Sequence, residues 1–160
     1  INVAILGEGS LMYQVVGKHY RPWDRRPAAN PNRTLSLDVS YERTELTAGE
    51  TTRVRATATN HAAGPMDQVI VSIGRPPGFD LLPEDLDALV AERRVARWEA
   101  DPRKITFYLM GLPPETPHAL SFRLRARYPM QGNAPTSSID SYYEPGSGEV
   151  TEPIALGVSD

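Results

Sequence analysis

The 160-residue chain has no cysteine. That excludes disulfides, thiol nucleophiles and cysteine-based zinc sites, while leaving the compartment open. It has no run of 18 apolar residues either, so no stretch reads as a membrane-spanning helix. Lysine is nearly missing: no lysine lies between Lys18 and Lys104, and arginine carries almost all the positive charge. Nor does positive charge dominate. Seventeen Lys and Arg face 20 Asp and Glu, a formal net charge of -3, which gives no electrostatic reason to expect nucleic acid or insertion into an anionic membrane. No initiator Met or signal peptide opens the chain, and a strand pattern is already under way at Ile1. The expectation is therefore a part of something larger.

Catalytic signatures are missing too. There is no Gly-x-Ser-x-Gly, and His19, His61 and His118 sit on separate segments without metal-ligand spacing. Gly7-Glu8-Gly9 lacks the following Gly-Lys-Ser/Thr of a phosphate loop and reads as a turn. Asp80, Glu84, Asp85 and Asp87 could be imagined around calcium, but they read as acids complementing the positive end of a helix. We assign no catalytic residue, no cofactor and no metal site, and expect a protein that is not an enzyme.

What is present is one helix among strands. Leu82 to Arg94 carries Pro83 in the first turn, acids at the start and Arg93 and Arg94 at the end, as the helix dipole favours. Leu82, Leu86, Leu89 and Val90 form one apolar face. Burying those four side chains is worth roughly 6–12 kcal/mol as an upper bound. The spacing predicts a surface helix near 83–94, handing over directly to a hairpin of Val95–Ala100 and Lys104–Met110 around an Asp101-Pro102-Arg103 turn.

The rest alternates with period two. Leu35, Leu37, Val39 and Tyr41 form one inward series, Val54, Ala56 and Ala58 another, and Leu120, Phe122, Leu124 and Ala126 the most regular. Gln68–Ile73 is almost continuously apolar and should be central. Ser137–Tyr143 reads as the last clear strand, with a short edge strand added by Ile154, Leu156 and Val158. About eight strands and one helix make an all-β, immunoglobulin-like sandwich. Residues 1–24 read as two strands with no sheet of their own, 25–33 as a proline- and arginine-rich linker, and 34–160 as the sandwich domain.

The candidate contact residues are arginines. Arg123, Arg125 and Arg127, with Arg53 and Arg55 beside them, form a basic ladder suited to an acidic neighbour, although a solvated sheet face would look the same. Arg93 and Arg94 at the helix end are a second partner-binding candidate. Tyr142 and Tyr143 point to opposite faces, so at most one is core and the other is free to anchor a contact.

An ordered set of pieces then resembles a known family: Ser40-Tyr41, Val69–Ile73, Gly78-Phe79-Asp80-Leu81-Leu82-Pro83 with its helix, Val95-Ala96-Arg97, Ile105–Leu109, Ser121-Phe122 and Ile139-Asp140-Ser141-Tyr142-Tyr143-Glu144-Pro145. Over roughly residues 33–145 this series is similar to the C-terminal receptor-binding domain of alpha-macroglobulins and complement components. Gly7-Glu8-Gly9, Gln14, Tyr20 and Pro22 resemble the strand pair closing the CUB module that precedes it in that family.

The resemblance implies a macroglobulin-like β-sandwich and a non-catalytic module of a protease-trapping protein. It would pack against CUB-like and thioester-type domains of its parent, meet target proteases through that parent, and change exposure when a bait region is cut. It also implies a periplasmic, cell-envelope or extracellular location. Where animal members place two receptor-recognised lysines near the helix start, this chain has Leu82 and Leu86 or Asp87. With the lack of cysteine, that points to a bacterial homologue. The alternatives are a stand-alone immunoglobulin-like adhesion or ligand-binding module and an accessory domain of an envelope enzyme.

Overall fold

The structure, a computed structural model, describes residues 33–160 and, before them, Val16. The segments expected to hold CUB-like strands and the linker therefore lie outside the described residues, Val16 and Arg33 excepted. The described elements run β1 (Leu35–Tyr41), β2 (Glu45–Thr47), β3 (Thr51–Asn60), β4 (Met66–Gly74), β5 (Phe79–Leu81), α1 (Pro83–Ala91), β6 (Arg97–Ala100), β7 (Lys104–Leu112), β8 (His118–Ala126), β9 (Met130–Ala134), β10 (Ser138–Ser141), β11 (Glu149–Val150) and β12 (Ile154–Ser159).

Two sheets face each other. One has the order β1-β3-β8-β5 and the other β11-β10-β4-β7-β6. Period-two alternation decides which side chains enter the space between them. Leu35 and Leu37, then Val54, Ala56 and Ala58, then Leu120, Phe122, Leu124 and Ala126 come from the first sheet. Val69, Val71 and Ile73 meet them from β4, and Ile105, Phe107 and Leu109 from β7. Phe107 and Phe122 join the layers directly, with ring centroids 5.5 Å apart. The immunoglobulin-like sandwich expected from the pattern is what forms, and β4 is central as its apolar run requires.

The strand count is higher than the alternation suggested. Four short strands, β2, β5, β9 and β11, carry two to five residues each, too few for a period to register. The tail strand differs more. β12 is no edge but the middle of a small third sheet, β2-β12-β9, parallel to β2 and antiparallel to β9. Leu156 and Val158 are buried there beside Leu46. β10 stops at Ser141, so Tyr142 and Tyr143 lie in the loop after it and both are exposed.

The helix bridges the two sheets. It leaves β5 on the first and delivers the chain to β6 on the second. β5 pairs with β8 only at Leu124–Ala126, and α1 takes over where that pairing ends. Leu86 and Leu89 are buried in the core, and Leu82 is buried at the cap. Val90 is not: it is 36% exposed. At about 100° per residue, Leu82, Leu86 and Leu89 fall within a narrow arc, whereas Val90 lies about 80° to one side of Leu82. The helix also ends at Ala91, so Arg93 and Arg94 follow it instead of forming its last turn, which holds no basic residue.

Candidate functional site

The five arginines singled out in the sequence have different jobs. Arg123 is tied down. Its Nε and one Nη donate to the two oxygens of Asp85 at 2.8 and 2.7 Å, and its backbone N–H donates to Asp85 Oδ2 at 2.9 Å. The guanidinium holds the Asp85 carboxyl below the usual carboxylate range, and Asp85 in turn raises Arg123 above its ordinary value. Asp85 thus occupies a backbone donor on the stretch of β8 that β5 leaves unpaired. Arg127 makes a looser pair with Asp80 at 3.6 Å and lies over the Tyr128 ring at 5.1 Å. Arg53 donates to Ser121 at 3.2 Å. Arg125 is exposed and has no side-chain partner among the described residues. The ladder is therefore divided between clamp and free cation.

At the other end of α1, Arg94 also serves the edge of β8. Its guanidinium donates to the Ala119 carbonyl at 2.5 Å, while its own carbonyl accepts from His118 Nε2 at 2.7 Å. Burial pushes the His118 imidazole below its usual range, which keeps the ring neutral. Two side chains of the helix segment, Asp85 and Arg94, thus meet backbone groups of β8 that a longer β5 would otherwise pair.

Arg93 is different. Its φ is +57°, in the left-handed region. Its N–H reaches the Val90 carbonyl at 3.0 Å, and the next N–H, of Arg94, reaches that of Leu89 at 2.8 Å. This pair of bonds is a Schellman helix end, where the residue after the cap is usually glycine. The Arg93 side chain is exposed and unpartnered among the described residues.

Beside it runs a groove of about 290 Å³ between the helix end and β7, lined by Val90, Arg93, Val95, Met110, Gly111 and His118 among others. A second groove of about 240 Å³ shares Ala96, Leu109 and Met110 with the first and extends over Gln68 to Tyr142. Met110, 62% exposed, stands where they meet. Its outward position on β7 was legible in the alternation. Its place next to the helix end was not, because that depends on how β6 and β7 fold back under α1.

The Ile139–Pro145 stretch builds a presenting loop. Asp140 accepts from the N–H groups of Ser141 and Gly146 and from Ser147 Oγ, and Ser141 Oγ accepts from the Glu144 N–H. Gly148 is needed here, since a Cβ would sit 1.7 Å from the Ile139 carbonyl oxygen. On this frame Tyr142 and Tyr143 meet edge to face, with ring centroids 5.2 Å apart. Asp140 is a structural residue that pattern reading left without a role. Among the described residues, no three His, Cys, Asp or Glu side chains gather as a metal site requires. No described helix is long and apolar enough to cross a membrane.

Known structures share this fold. The chain is similar to Escherichia coli alpha-2-macroglobulin, from domain MG7 to the C-terminus, with a TM-score of 0.68, 15% identity, and coverage of 84% of this chain and 25% of that one. It is equally similar to Salmonella alpha-2-macroglobulin reacted with methylamine, at 0.68, 17% identity, and 84% and 10% coverage. Trypsin-activated E. coli alpha-2-macroglobulin gives 0.68, 14% identity, and 81% and 10% coverage. This chain thus spans a tenth to a quarter of those proteins. No curated protein sequence matches it. The family model described as the A-macroglobulin receptor binding domain matches residues 66–152, from the start of β4 to just past β11 and including the whole helix segment. That is more than half of the chain, which therefore belongs to the receptor-binding domain family of the alpha-macroglobulins.

Proposed function

We propose that this domain is a non-catalytic module of a protease-trapping, alpha-macroglobulin-like protein, which packs against other domains of its parent and changes exposure when a bait region is cut. The observation that carries the reading is the family match over residues 66–152 on a sandwich whose two sheets are linked by α1. A second observation fits a module whose own fold stays constant. The chain is as similar to the E. coli protein running from MG7 to the C-terminus, described as native, as to its trypsin-activated form, with a TM-score of 0.68 in both cases. A module that keeps its fold while its neighbours rearrange would give that equality.

The parent would supply a CUB-like module before this one and a thioester-type domain, and would meet target proteases itself, in the periplasm, at the envelope or outside the cell. Of the five arginines, Arg93 and Arg125 have side chains without a partner among the described residues, whereas Arg94, Arg123 and Arg127 are engaged within the domain. Leu82 and Leu86 are buried at the helix start, which speaks against recognition by an animal-type, lysine-reading receptor. Hydrogen exchange of residues 79–94 in the full-length protein, before and after protease treatment, tests the reading. Changed protection is expected; identical exchange would reject the movement.

A further inference from the structure

We propose that the groove at the C-terminal end of α1 is a docking site for an acidic protein segment that sets an apolar side chain beside a carboxylate. The inference rests on the geometry of the helix end and does not depend on the macroglobulin reading.

The first observation is chemical. Val90 and Met110, two of the few exposed large hydrophobics among the described residues, border the same groove and give it an apolar wall beside its polar rim. The second is electrostatic. The cations on the rim are Arg93, Arg94 and, past Ala96, Arg97. Arg94 is used by the Ala119 carbonyl, and Arg97 is used by Glu99 and stacks on Tyr108 at 3.6 Å. Arg93 alone of these has no partner among the described residues, and a carboxylate entering the groove would give it one.

The third is conformational. Arg93 holds a left-handed φ at the position where glycine would sit without strain. Fold stability therefore does not account for an arginine there, and its side chain does. Lysine would supply the charge but not the planar fork that grips a carboxylate through two N–H groups. The neutral His118, bonded to the Arg94 carbonyl, adds no competing charge. The occupant that fits is one carboxylate for Arg93 and one aliphatic side chain for the space between Val90 and Met110.

An NMR titration of the 160-residue chain with a hexapeptide of alternating leucine and glutamate tests this, with a leucine–glutamine hexapeptide as comparison. The glutamate peptide should shift the amide signals of Val90, Arg93 and Met110, and its affinity should fall as salt is added. Arg93→Gly should weaken that affinity about fivefold, the upper range of an exposed ion pair, and should also raise the Tm by a few degrees as the left-handed strain is relieved. Loss of binding could then not be blamed on unfolding. Met110→Ser should weaken both peptides, and Arg125→Gln neither. Equal binding of the two peptides, no shift at the groove, equal effects of Arg93→Gly and Arg125→Gln, or an Arg93→Gly chain that is no more stable would each overturn the proposal.

Discussion

The two ends of α1 are built on opposite plans. At the start, Leu82 and Leu86 are buried and Asp85 makes three hydrogen bonds to Arg123. At the finish, Val90 is partly exposed, the last turn holds no basic residue, and Arg93 takes a left-handed conformation with no side-chain partner among the described residues. Along this nine-residue helix Leu86 and Leu89 hold the sandwich shut, while Val90 and the residues that follow turn outward. The caps differ as well: Leu82 has no polar side-chain atom with which to cap the start, where Pro83 lacks the N–H that would need one, whereas the finish closes in a Schellman pair of backbone bonds. The difference teaches that two ends of one short helix can be finished differently even where its buried stripe runs from end to end.

The strongest way to break this comparison is to hollow the first half. Leu86→Ala should cost about 2–4 kcal/mol, since a fully buried leucine loses both its transfer energy and the packing around it. Val90→Ala, one turn later, should stay within about 0.5 kcal/mol. Equilibrium urea unfolding of both variants checks the contrast, and equal losses would erase it.

Next comes Asp85→Ala, which uncaps the Arg123 backbone N–H and should cost about 1–2 kcal/mol from that donor alone. The same carboxyl sets an acid dependence. The hydrogen bonds from Arg123 hold its folded value below the ordinary one, so the unfolded chain binds the proton more readily. Its contribution is complete above about pH 4 and is lost as pH falls through the folded value. Denaturant midpoints between pH 5 and about 2 should therefore fall less steeply in Asp85→Ala than in the unaltered chain.

His118 sharpens the comparison from the other end. Burial lowers its folded value, so the unfolded chain again takes the proton first. This part of the stability is present above about pH 6.5 and drains as pH drops below it. His118→Gln keeps a donor for the Arg94 carbonyl but does not titrate, and should flatten the stability profile between about pH 6.5 and 5. The smallest effect belongs to Arg93, where a calorimetric melt of Arg93→Gly should rise by a few degrees, opposite in sign to every change in the first half.

Much of this architecture was legible in the residues, and the misses share a cause. The inward faces of β3, β7 and β8 follow their alternation residue by residue. The helix was found from Pro83, its acids and its leucines, and three of the four expected buried positions are buried. Val90 failed because periodicity gives an arc, and how much of the arc is covered depends on the surface opposite. The short strands β2, β5, β9 and β11 failed because two to five residues carry no period. The arginine ladder was seen as one surface, yet its members separate into a clamp, a loose pair and a free cation once Asp85 and Asp80 approach from other elements.

What the chain's own order of residues determined is local. Alternation sorts each long strand into a wet and a dry face, Pro83 and the leucines place the helix, and the Asp101-Pro102-Arg103 turn folds β6 onto β7, since each depends on neighbours a few residues away. Only the tertiary structure decided which cations are free, which edge of β8 needed Asp85 and Arg94 to cover it, and that Met110 would stand beside Val90. Those outcomes depend on distances between segments far apart in the chain, and such distances exist only once the two sheets have closed on their shared core.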